Sequence, residues 1–105
     1  MNQNVKELDK FISDLHWAGV IGDVVLPMQD EGAKGSFSFF IEINGKVISA
    51  DAVVEVYGDF ATVMINGGAP VTVMREDKNT PIDVTLRRGM EEAVYKMKKR
   101  CSIIR

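Results

Sequence analysis

The chain has 105 residues, of which 46% are hydrophobic and 27% charged, with a formal net charge of −2. That is enough apolar material for one core without staples, and too evenly mixed a composition for a disordered or fibrous chain. No apolar run approaches the ~20 residues of a membrane helix, and the polar start Met1-Asn2-Gln3-Asn4 does not read as a secretory signal. A single cysteine, Cys101, allows no internal disulfide and no thiolate zinc cluster. The expectation is one α+β domain over residues 1–105, held in the reducing cytoplasm.

The first predicted element is an amphipathic helix over residues 4–18. Asn4-Val5-Lys6-Glu7 has capping-box spacing, and Val5, Leu8, Phe11, Ile12 and Leu15 recur at helical intervals as a buried stripe. Gly19 ends it. Trp17 falls opposite the stripe, among Lys6, Lys10 and Ser13, which makes it either a side chain covered by the following segment or an exposed anchor for a partner. A short edge strand, Asp23 to Leu26, is stopped by Pro27, and the polar stretch Gln29 to Gly35 reads as a mobile loop.

The middle of the chain predicts an antiparallel meander of four to five strands. Phe37, Phe39, Ile41 and Ile43 alternate with Ser38, Phe40, Glu42 and Asn44 ahead of Asn44-Gly45, the strongest short hairpin signal. A two-residue turn there pairs Ile43 with Lys46, Ile41 with Ile48 and Phe39 with Ala50. A second turn at Gly58-Asp59 pairs Val56 with Ala61 and Val54 with Val63. Ile48, Ala50, Ala52, Val54 and Val56 then share one face. A looser turn, Asn66-Gly67-Gly68-Ala69-Pro70, is expected to set Asn66 against Val71 and Val63 against Met74. The last element is a helix over 81–99, capped by Thr80 with Pro81 at its first position, and buried along Ile82, Leu86, Met90, Ala93, Val94 and Met97. Both helices are expected on one sheet face.

That arrangement leaves the opposite face with Phe40, Val47, Val53, Tyr57, Phe60, Met64, Val71 and Val73. Large apolar groups in such number mark an interaction surface, unless residues 20–36 fold back over them. Phe40, Val53, Tyr57, Phe60, Met64 and Val73 are therefore the expected oligomer interface, most simply that of a homodimer.

The charge is uneven along the chain. Ten acids face four lysines up to residue 74, net −6, and nine basic residues face five acids beyond it, net +4. A basic helix end suits the helix dipole, and it also suits an anionic ligand or an acidic partner. Arg75, Arg87 and Arg88 are the candidate cations, Asn66-Gly67-Gly68 a candidate backbone nest.

Catalytic chemistry has little to work with. His16 is the only histidine and has no acid beside it in sequence, Asp30-Glu31 is a weak metal pair, and nothing sets two carboxylates in an apolar cleft. No cofactor or metal is expected. The order helix, antiparallel strands, helix, with Phe39 to Val47, resembles the double-stranded-RNA-binding domain. That module places a lysine cluster where this chain has Thr80-Pro81-Ile82-Asp83, so nucleic-acid binding is the weakest reading.

The sequence thus points to a non-catalytic binding protein. It reads as an inhibitor or adaptor of the small accessory kind that phages and mobile elements carry, acting on a protein partner as a homodimer. The alternative is a protein that sequesters a small anion, such as a nucleotide, through arginines near the junction of sheet and second helix.

Overall fold

The computed structural model describes residues 3–15, 19–77 and 79–103, the side chains of 101–103 excepted. The chain runs through helix α1 (Gln3–Asp14), strand β1 (Ile21–Pro27), a single 3-10 turn (Gln29–Glu31), strands β2 (Ala33–Ile43), β3 (Lys46–Val56), β4 (Phe60–Ile65) and β5 (Val71–Met74), and helix α2 (Ile82–Ile103). The five strands form one antiparallel sheet in sequence order, β1 to β5.

The two tight turns set the registers that the hairpin chemistry dictates. Asn44 and Gly45 both adopt positive φ, 54° and 79°, as a two-residue connection with the right-handed strand twist requires. Ile43 accordingly pairs with Lys46, Ile41 with Ile48, and Phe39 with Ala50. Val54 pairs with Val63 and Val56 with Ala61.

One rung of the inner face, Val25, Gly35, Val54, Val63 and Val71, crosses all five strands. Both helices lie over it. A Cβ at Gly35 would sit 3.0 Å from Ile12 Cδ1 of α1, and a Cβ at Gly89 of α2 would sit 2.9 Å from Val63 Cγ2. The two glycines therefore let each helix approach the sheet more closely than any side chain permits. Leu8, Phe11 and Ile12 of α1, and Ile82, Leu86, Ala93 and Met97 of α2, are buried there, with Thr85 as the one buried polar residue among those described.

Four features depart from the sequence reading. The polar stretch after Pro27 is not a long loop: Ala33 to Ser36 extend β2 to 11 residues, and β1 pairs along them. Residues 20–36 therefore widen the sheet instead of covering its outer face. Thr80 does not spend its hydroxyl on the helix, because that oxygen accepts from the Asp77 N–H at 3.3 Å. Asn4 lies inside α1, where its amide nitrogen donates to the Glu31 carbonyl at 2.9 Å and ties the helix to the turn before β2.

The fourth departure matters most for function. Val63 faces Val71, not Met74, so β5 is displaced by three residues from the expected pairing. An odd displacement inverts the strand, since side chains alternate with period two. Val71 and Val73 consequently point into the core, 4% and 6% exposed, and Thr72 and Met74 face outward. The physical reason lies in the connection: Gly67 to Pro70 is too long to fix a register, and burial of the β-branched Val71 and Val73, the latter beneath Gly89, decides it instead.

Candidate functional site: the uncovered face of the sheet

On the side away from the helices the sheet presents a surface that no described residue layers over. Its central rung is Val24, Ser36, Val53 and Met64, and the next is Leu26, Lys34, Glu55, Thr62 and Thr72. Val53 and Met64 are half-buried by their neighbours, whereas Ile21, Val24, Leu26, Phe40 and Met74 are each at least 50% exposed. At one end Tyr57 and Phe60 flank the Gly58-Asp59 turn with their rings stacked at 4.6 Å, beside Met74.

Two pairs of polar groups on this face bond each other. Ser38 donates its hydroxyl to Asp51 Oδ1 at 2.6 Å, and Tyr57 donates its phenol to Glu55 Oε1 at 2.8 Å. Lys34 stands directly opposite Glu55 across the β2–β3 pair. The hydrogen bond to Glu55, with smaller contributions from burial and from the carboxylate's charge, raises the Tyr57 phenol above its ordinary value of 10.0. Carboxylates that hold hydrogen bonds lose less when water is removed than free ones do, so this face is less costly to cover than its charges suggest.

The β2–β3 hairpin extends the surface. Beyond Phe39 and Ala50 it has no paired strand on either side among the described residues, since β1 pairs only as far as Ser38 and β4 begins opposite Ala52, although Gly19 lies against the Phe40 ring. Val47 is 68% exposed there, and Ile48, on the core side of the hairpin, is 37% exposed. A two-stranded ribbon is marginal alone, and apolar side chains on both its faces are suited to docking.

Of the six expected interface residues, Phe40, Val53, Tyr57, Phe60 and Met64 share this face, and Val73 is corrected to the core. The sequence reading missed Ile21, Val24 and Leu26. Their signal was Val24 and Leu26 at spacing two, interrupted by the bulge at Gly22 and Asp23 that puts Ile21 on the same side. Trp17 and His16 lie outside the described residues, as do Lys78 and Arg105.

The three candidate arginines serve three different places. Arg75 Nε donates to the Thr80 carbonyl at 2.9 Å, holding the connection into α2. Arg88 donates to Glu76 at 2.9 Å and to the Met74 carbonyl at 3.0 Å, which closes part of the β5 edge. Arg87 lies along the cleft between the helices with Phe11 and Leu15, and Asp14, Asp83 and Glu91 stand around it. The Asn66 to Gly68 turn likewise spends its N–H groups internally, Asn66 on the Asp51 carbonyl at 2.8 Å and Gly68 on the Ile65 carbonyl at 3.0 Å.

No group of three His, Cys, Asp or Glu side chains with metal-ligand spacing occurs among the described residues, and no helix is long and apolar enough to cross a membrane. Comparison with protein-family models, curated proteins and solved structures finds no match.

Proposed function

We propose that this is a non-catalytic binding protein of the cytoplasm, an inhibitor or adaptor, which pairs with a second copy through the outer face of its sheet and presents the assembly to a protein partner. The observation that carries this reading is the uncovered apolar face built from Ile21, Val24, Leu26, Phe40, Val53 and Met64. The five strands have 7, 11, 11, 6 and 4 residues and, at about 3.3 Å per residue and 4.8 Å between strands, spread over roughly 600 Å². That flat footprint is somewhat below the roughly 800 Å² of accessible surface per partner in a standard interface. A two-fold axis through the Val53–Met64 rung brings the same apolar groups together from both copies, as isologous contacts require.

The test is molecular mass in solution at micromolar concentration. Light scattering should return twice the 11.7 kDa of one chain. The double variant Val53→Asp, Met64→Asp should return one chain with an unchanged circular dichroism spectrum. A monomeric wild type rejects the pairing.

A further inference from the structure

On the helical side of the molecule, away from the proposed pairing face and independent of it, a groove of about 290 Å³ opens between the last turns of α2 and the connection from β4 to β5. Ile65, Ala69, Val71 and Ala93 make its walls almost wholly apolar, and Lys96, Lys99 and Arg100 stand at its rim. We infer that this groove is a binding site for a small organic anion with a compact apolar body, such as an aromatic carboxylate.

Three observations support the assignment. First, the size fits. Cavities of roughly 150 Å³ accept benzene, and ligand pockets begin near ~300 Å³, so this one has room for a bicyclic ring. Second, the walls are fixed. Asn66 accepts from the Asp51 N–H at 2.8 Å and donates its amide to Met97 Sδ at 3.6 Å, which fastens the β4–β5 connection to both β3 and α2. Third, the charge is placed and available. Lys96 shares Glu92 at 3.6 Å, whereas neither Lys99 nor Arg100 has a carboxylate within ion-pair distance among the described residues.

Arg100 has a position that the helix dipole alone does not explain. Its guanidinium lies against Gly68, where a Cβ would stand 2.8 Å from Nη2. The planar cation lies over the turn at the mouth of the groove, and a side chain at position 68 would make its flexible end shift. A carboxylate at the rim would meet Arg100 and Lys99 while its ring lay on Ala69, Val71 and Ala93. Guanidinium geometry favours this class, because two parallel N–H groups match the two oxygens of one carboxylate.

The experiment is a titration of the full chain with 1-naphthoate and with the neutral analogue 1-naphthylmethanol, followed by amide chemical shifts. Saturable shifts at Ala69, Val71 and Ala93 are expected for the carboxylate, with the alcohol weaker by about tenfold or more. Lys99→Glu combined with Arg100→Glu should weaken the carboxylate by about tenfold or more and leave the alcohol unchanged. Ala69→Trp, at an exposed position of the connection, should block both ligands. Equal affinity for acid and alcohol, indifference to the charge reversal, or shifts confined to the outer face of the sheet would each overturn the assignment. The first two of these outcomes leave pairing through the outer face untouched.

Discussion

At the scale of single residues, Tyr57 shows how the outer face balances polarity. Its phenol is held by Glu55 and stacked on Phe60, so the proton is kept in the folded chain beyond the ordinary phenol range. The sign follows directly. A group whose folded pKa is raised contributes stability that is complete below the unfolded value of 10.0 and is lost as pH climbs through the folded value. Ultraviolet titration should therefore show one tyrosine, the one removed by Tyr57→Phe, ionising above that value. Glu55→Ala should move it down, because the hydrogen bond is the largest cause of the shift. An unchanged midpoint in Glu55→Ala would mean that the bond contributes nothing in solution.

Elements were legible in the sequence where local chemistry determines them. Asn44-Gly45 and Gly58-Asp59 fix two registers residue by residue, and the apolar stripes of both helices follow from helical spacing alone. Register was not legible across the Gly67 to Pro70 connection, where only tertiary packing chooses between Val71 and Thr72 as the inward residue. The same holds for Ala33 to Ser36: small and polar residues look like a loop until β1 and β3 pair on either side of them. The candidate surface was visible as an excess of apolar residues on one face, but its β1 share was hidden by a bulge and the groove at the end of α2 by distance in sequence.

The corrected strand makes a sharp prediction. Val73→Asp places a charge beneath Gly89 in the core and should cost about 3 kcal/mol or more in urea denaturation. Thr72→Asp, one residue away on the open face, should change stability by about 0.5 kcal/mol or less in the monomer. The reverse order, with Thr72→Asp the costlier of the two when each is measured in the Val53→Asp, Met64→Asp background, would restore the register read from sequence.

At the scale of the whole molecule, the layers are one-sided. Two helices cover one face of a five-stranded sheet, and the other face keeps half-exposed isoleucine, valine, leucine, phenylalanine and methionine. An antiparallel sheet tolerates water on one face when that face is polar, and on this one two polar pairs bond each other beside the exposed apolar groups. In the proposed pairing a second copy would supply the missing layer and leave the helices and the α2 groove outside. The most direct test measures which faces meet. Spin labels at Thr62→Cys, on the open face, and at Tyr95→Cys, on the exposed side of α2, would each be placed in a Cys101→Ser background for dipolar distance measurement. Sheets packed face to face lie about 10 Å apart and each helical layer adds about 10 Å, so labels at position 62 should fall within roughly 25 Å of their mates. Labels at position 95 should lie at least about 20 Å farther apart than those at 62. A shorter distance at 95 than at 62, or no intermolecular coupling at either position, would contradict pairing through the open face of the sheet.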